Sequence, residues 1–466
     1  MSQEPAGTGL QQMLEKARAA QAEWAQADQR TIDRVVREIA RTVYDNAEEL
    51  ARLTVEETKL GTYEFNLEQD RRKAEIIWND LKGKKSVGII NRIDHLGLIE
   101  IAKPIGVVGA VLPLTIPVTN SMSNGMFSLK CGNAVIYAPH PRAKRTVRRT
   151  LDLMLERVTP LGVPPNLLQM MEEPSIELTR ELMSLVDVIV ATGGVGMVKS
   201  AYSSGKPAYG VGPGNVQAII DRGVDFEDAV QKIISSRTFN LGIPCGSEQA
   251  VHVPREHFDE IVALFVKHGA AYFEDAESIG RIQRALFDEK GGMRGETIGI
   301  TAGRIAEMAG IAVPPETLML LLKGDFEHQD TVLRKEKLSP VGLIYSYERF
   351  EEALEIAHAN LSLIGKGHSA VIHSSDAQRI EQVGLALPVS RVIVNQACNF
   401  TTGGAFSVAF TPTTTLGCGF WGNTLLSENL TYKHLMNVTR IGYPLSAEKR
   451  PTSDEIWSLG EPGDAA

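Results

Sequence analysis

From residue 106 to 221, short β-branched runs alternate with stretches of helical spacing, and the alternation resumes after residue 245. Continuous apolar runs separated by helices predict strands of a parallel sheet, because helices cover both faces of such a sheet. The predicted strands are 107–111, 134–138, 186–191 and 217–221, then 251–253, 318–322, 341–345, 370–373 and 391–395. Two α/β units follow, with a boundary at 221. Residues 11–56 contain no Gly or Pro and place Ile32, Val35, Val36, Ile39 and Val43 on one stripe, which predicts a helical start. Within 85–103, Val87-Gly88-Ile89-Ile90 and Leu98-Ile99-Glu100-Ile101 flank Asp94-His95-Leu96-Gly97, the pattern of a long hairpin. A hairpin outside the main alternation suits an arm between subunits. After residue 411 the chain turns Gly- and Thr-rich, then reads as helical from about 427.

Composition narrows the function classes. The chain has 466 residues, 43% of them hydrophobic, and a formal net charge of −9 with no long basic run, which argues against nucleic-acid binding. Cys131, Cys245, Cys398 and Cys418 lie far apart, so neither a zinc ribbon nor a disulfide framework is expected, and a reducing compartment is. His368 and His373 have no grouped acidic partners, so no metal is predicted. The start of the chain lacks a basic and apolar leader, and the apolar stretch 99–118 is broken by Lys103, Pro104, Pro113 and Pro117. The expectation is a cytoplasmic protein with no membrane partner.

Four segments carry candidate chemistry. Thr192-Gly193-Gly194-Val195-Gly196-Met197 joins a predicted strand to a helix start, where free N–H groups favour an anion. It is not G-x-G-x-x-G, and a turn serving packing alone reads the same way. The strand 134–138 runs into Pro139-His140-Pro141-Arg142-Ala143-Lys144. No acid follows it to take a ribose 2′-hydroxyl, and Arg142 and Lys144 favour a 2′-phosphate, unless they merely face water. That leans towards NADP over NAD. A second glycine-rich turn, 207–215, contains Gly212, and Glu336 is a lone acid suited to a ribose or to water. Cys245 lies between Pro244 and Gly246, just before an apolar strand. A thiol on such a turn is either a nucleophile or a small core residue.

Taken in chain order, these segments resemble the aldehyde dehydrogenase superfamily, in its CoA-acylating branch, from about residue 85 to 445. The marks are Ala138-Pro139-His140-Pro141-Arg142-Ala143-Lys144, Ala191-Thr192-Gly193-Gly194, Ser203-Ser204-Gly205-Lys206-Pro207, the Cys245 segment, Glu336-Lys337-Leu338-Ser339-Pro340 and Thr415-Leu416-Gly417-Cys418-Gly419-Phe420-Trp421-Gly422. The resemblance implies an α/β fold: a Rossmann-type cofactor domain (1–84 and 104–221), an oligomerisation hairpin (85–103), a catalytic domain (222–410) and a C-terminal segment (411–466) packing back on the cofactor and subunit interface. It implies a homo-oligomer. It also implies catalysis by Cys245, with the nicotinamide cofactor held by His140, Pro141, Arg142, Lys144, Thr192 to Met197, Gly212 and Glu336. Hydride leaves a Cys245 adduct, and coenzyme A takes the acyl group.

Hydrolysing members of that superfamily carry a base glutamate near the place of Gly210-Val211-Gly212-Pro213-Gly214, where this chain has no carboxylate. Water is then poorly activated, which favours a thiol acceptor. Acylating members carry an oxyanion-holding Asn where this chain has Ile116. Asn120 is the expected replacement, beside the Cys245 N–H. Arg237 is the expected contact for an anionic substrate, or a partner of Glu248. Among acylating members the chain looks like those oxidising a small anionic aldehyde, sulfoacetaldehyde ahead of succinate semialdehyde or acetaldehyde. Two rivals remain: a cysteine hydrolase, for which no Cys/His signature surrounds His252, and a nucleotide-binding descendant without catalysis.

Overall fold

The computed structural model describes residues 6–327, 331–446 and 451–459, so the outer ends of the expected first and last segments lie outside the described residues. Helices Ala6–Trp24, Gln29–Asp45, Ala47–Thr58 and Tyr63–Leu81 open the chain. Asp28 caps the second, accepting from the Thr31 N–H at 2.7 Å, and that helix buries the predicted stripe from Ile32 to Val43. It packs on helices Pro117–Lys130 and Lys144–Val158, and the first helix packs on the sheet beneath.

Fifteen strands follow among the described residues. They are β1 (Gly88–Ile93), β2 (Leu98–Pro104), β3 (Val107–Val111), β4 (Ala134–Ala138), β5 (Leu168–Met170), β6 (Val188–Thr192), β7 (Ala208–Val211), β8 (Val216–Ile220), β9 (Glu248–Pro254), β10 (Ala270–Phe273), β11 (Met319–Lys323), β12 (Val341–Tyr347), β13 (Gly367–His373), β14 (Val389–Val394) and β15 (Met436–Gly442). A five-stranded parallel sheet has the order β5-β4-β3-β6-β7. A seven-stranded parallel sheet has the order β10-β11-β12-β9-β8-β13-β14. Every residue of β3, β4 and β8 is buried, as continuous apolar runs require.

Two expectations change here. The strand predicted at 217–221 does not close the first alternation. As β8 it pairs with β9 (Ala218 opposite Val251) and β13 (Val371 opposite Ala218), so the second sheet begins before residue 221. The run beyond 427 is not helical throughout. It ends in β15, whose first residues alternate half-buried and exposed, and which pairs antiparallel with β2. The hairpin β1–β2 thus gains a third strand from the far end of the chain.

The two parallel sheets bring opposite strand ends to the site. The carboxyl ends of β6 and β7 lead into Gly193 and Gly212. The amino ends of β8, β9 and β13 follow or carry Gly214, Cys245 and His368. Ligands of parallel α/β sheets gather beyond the carboxyl ends of the strands.

Candidate active site

The approach to Cys245 is held in an unusual backbone conformation. Helix Phe226–Thr238 ends, and Asn240, Leu241 and Gly242 take φ of 47°, 57° and 74°. Two of the three are not glycine, at a cost of about 1–3 kcal/mol each. Contacts on both sides fix the turn. Asn240 Oδ1 accepts from the Thr62 N–H at 3.1 Å. The Phe239 ring meets Phe65 and Phe400, each at 4.9 Å between centroids. At Gly242 a Cβ would lie 2.6 Å from the Ser339 carbonyl carbon, so only glycine fits. The turn delivers Cys245 half-buried, its neighbours Gly246 and Ser247 fully so.

His368, at the start of β13, places Nε2 3.2 Å from Cys245 Sγ. Burial, with further unfavourable pressure from Glu336 and Cys418, pushes the thiol up to about 12, while Arg391 draws it down. Burial, and then Arg391, lower His368 to about 3. The resting pair is therefore a neutral thiol against a neutral imidazole. Nδ1 is buried without a protein partner; with it protonated, Nε2 offers its lone pair to the thiol, as a base does to a nucleophile. Arg391 on β14 is buried and donates to the carbonyls of His368 and Gly417, each at 2.8 Å, and to Asn429 Oδ1 at 3.0 Å. None of these partners neutralises it, so its charge favours a thiolate when one forms.

The nucleotide cradle lies opposite. Gly194, Gly196 and Gly212 would each point a Cβ into open space, so the backbone there is clear for a phosphate or a ring. Gly194 precedes helix Val195–Tyr202, whose first N–H groups face that space. A cleft of about 480 Å³ is lined by Val195, Gly212, Cys418 and Trp421, among others. Thr192 Oγ1 is buried without a protein partner. A nicotinamide dinucleotide fits this donor-rich, glycine-lined cleft. Glu336 stands beside it, Oε1 accepting from the Gly214 N–H at 2.9 Å, and burial raises it to about 7.

The basic residues after β4 are differently engaged. His140 Nδ1 accepts from the Arg142 N–H at 3.1 Å, Pro141 opens a short turn, and Arg142 Nη2 donates to the Thr58 carbonyl at 2.6 Å. Lys144 pairs with exposed Glu173 at 2.6 Å. No acid stands between Ala138 and Lys144.

Two expected substrate residues are engaged with other partners. Arg237 is fully buried, and its Nη2 donates to the carbonyls of Lys337 and Ser339, bracing that loop, while Nε and Nη1 have no protein partner. Burial lowers it to about 10, and Glu248 and then Glu336 oppose that. Asn120 is buried on its helix, with Nδ2 donating to Thr414 Oγ1 at 3.1 Å and Oδ1 accepting from Asn124 Nδ2 at 2.9 Å. A different amide is free. Asn399 Nδ2 is buried without a protein partner, and a Cβ at Gly246 would lie 3.4 Å from Asn399 Cα. His368 and Arg391 were not singled out from the sequence for catalysis; only strand pairing brings them beside Cys245, whereas the segment 397–404 that carries Asn399 was expected to offer donors to an anion. Among the described residues no cluster of three His, Cys, Asp or Glu is arranged to hold a metal, and no helix is long and apolar enough to cross a membrane.

A family model described as the aldehyde dehydrogenase family matches residues 6–276. The chain is 46% identical over 448 residues to the acetylating succinate-semialdehyde dehydrogenase of Clostridium kluyveri, covering 96% of this chain and 98% of the relative. It is 39% identical over 448 residues to a sulfoacetaldehyde dehydrogenase from an Acholeplasma species, covering 95% and 92%. Among solved structures it matches the acetylating aldehyde dehydrogenase of Geobacillus thermoglucosidasius with a TM-score of 0.91 at 35% identity, covering 96% and 98%.

Proposed function

The chain belongs to the aldehyde dehydrogenase family as a CoA-acylating oxidoreductase, and from that footing we propose that it converts a small aldehyde with a terminal anion to its acyl-CoA thioester, using NADP. The family's acylating members use a nicotinamide cofactor and CoA. The observation that carries the reading is the Cys245–His368 pair at 3.2 Å, facing a turn, Gly210 to Gly214, that holds no carboxylate.

His368 Nε2 takes the thiol proton as Cys245 sulfur bonds to the aldehyde carbon. The Cys245 N–H and Asn399 Nδ2 then hold the alkoxide of the thiohemiacetal. Bound nicotinamide supplies the hydride acceptor. Collapse of the alkoxide leaves a thioester on Cys245, and His368 releases its proton. The imidazole next takes the proton of the CoA thiol, whose sulfur displaces Cys245, and returns it to the departing thiolate. The Gly210–Gly214 turn itself offers water no such base, and Glu336 beside it is held by the Gly214 N–H.

Support for a terminal anion comes from the relatives named for succinate semialdehyde and sulfoacetaldehyde. The sequence favours sulfoacetaldehyde, whereas the relative named for succinate semialdehyde is the more similar of the two, so the two substrates stand level. NADP rests on the acid-free segment after β4, with His140, Pro141, Arg142 and Lys144 at the adenosine end and Thr192 to Met197, Gly212 and Glu336 at the other. Exposed Ile89, Leu96, Ile441 and Tyr443 on the three-stranded arm support its use as a contact between subunits. Four free cysteines fit a cytoplasmic location. Incubation with either aldehyde, NADP and CoA should give acyl-CoA and reduced cofactor in equal amounts. Free acid with no CoA dependence would sink the proposal.

A further inference from the structure

Helix Tyr63–Leu81 carries two adjacent cations, Arg72 and Lys73, to the segment 398–404 that walls the nucleophile. Lys73 is buried, with Nζ donating to the carbonyls of Gly403 at 2.8 Å and Thr413 at 3.0 Å. Arg72 is half-buried. Its Nη1 donates to the Phe400 carbonyl at 2.9 Å and its guanidinium lies 5.4 Å from the centre of the Phe400 ring. The same Phe400 ring packs at 4.9 Å on Phe239, which opens the turn to Cys245. Asn399, the preceding residue, packs on Gly246. Arg72 and the thiol thus border one region.

The guanidinium is incompletely satisfied. Nε is buried without a protein partner, and among the described residues Arg72 makes no ion pair. Glu68, one turn earlier, is the carboxylate whose charge it feels. Burial lowers both cations, and Lys73 in addition feels the charge of Cys245. A partly desolvated guanidinium held by a neutral acceptor is costly, and an anion arriving beside it offsets that cost. Aromatic walls with one planar, bidentate donor suit a short chain ending in a carboxylate or sulfonate.

We propose that Arg72 is the specificity-determining residue that receives the terminal anion of the aldehyde, in place of Arg237. The inference rests on the acylating reading above and adds the group that selects among its substrates. Arg72→Gln and Arg72→Lys are compared with the unaltered enzyme on succinate semialdehyde, sulfoacetaldehyde and uncharged propanal, with cofactor and CoA saturating. Loss of a charge-assisted pair should cut kcat/KM of Arg72→Gln for the anionic aldehyde by about 10- to 100-fold, chiefly through KM, while propanal changes by less than about 2-fold. Arg72→Lys should fall between. The anionic aldehyde with the larger loss is the one the site is built for. Equal losses on all three would show a clamp on Phe400 and overturn the proposal, as would no loss on any. An unaltered enzyme that gives no CoA-dependent reduction with any aldehyde would overturn the acylating reading itself, and this inference with it.

Discussion

A Cβ at position 214 would lie 2.0 Å from the carbonyl oxygen of Cys245, so the Gly214 backbone rests directly on the nucleophile's own peptide. The turn that would carry a water-activating carboxylate is here part of the wall behind the thiol. Gly214→Ala should displace Cys245 and cost about 1–3 kcal/mol of stability, with turnover reduced more than cofactor affinity. Thermal unfolding and cofactor titration check this, and unchanged turnover would show that the approach is not needed.

His368→Ala should slow both hydride transfer and acyl transfer to CoA, each by about 10²–10⁴-fold. Single-turnover measurement separates them: the reduced-cofactor burst reports the first, and CoA-dependent release the second. If only the first slows, another group deprotonates CoA.

Because burial holds the Cys245 thiol up to about 12, the thiolate fraction grows throughout the range pH 6–9. Alkylation of Cys245 by iodoacetamide should therefore rise almost tenfold per pH unit in the free enzyme. A rate that levels off below pH 8 would mean a standing thiolate.

Glu248 is buried, and desolvation raises it to about 7 from an ordinary 4.5. A carboxyl raised by folding binds its proton more tightly in the native state. Its favourable contribution is complete below about pH 4.5 and is lost as pH rises through about 7, roughly 3 kcal/mol in all. Glu248→Gln should remove that loss, so the Tm of the variant minus that of the unaltered protein should increase from pH 5 to pH 8. A constant difference would contradict the raised carboxyl.

The strands of both sheets were legible wherever β-branched residues run together, as in β3, β4 and β13, because full burial on two faces leaves that trace. Which sheet a strand joins was not. Val216 to Ile220 read as the end of the first unit, yet its partners stand at Val251 and Val371, and such long-range pairing has no local signal. Cys245 was found because its turn chemistry is local. His368 was weighed only as a metal ligand, since it is 123 residues away and only β13 brings it near. That Arg237 is committed to the Lys337 and Ser339 carbonyls was hidden for a related reason: distance along a helix does not say which face is buried. β15 lies in polar, half-exposed surroundings, where strand and helix patterns differ least.

The Arg391 guanidinium gathers His368, Gly417 and Asn429 around the thiol, and all three come from the last quarter of the polypeptide. During synthesis, the segment bearing Cys245 leaves the ribosome long before Gly417 and Asn429 exist to receive that cation. The nascent chain therefore exposes a thiol with no finished surroundings, and it becomes a working nucleophile only when the final segment threads back across the sheet. Truncation near residue 410 would leave both sheets largely encoded and the chemistry unassembled.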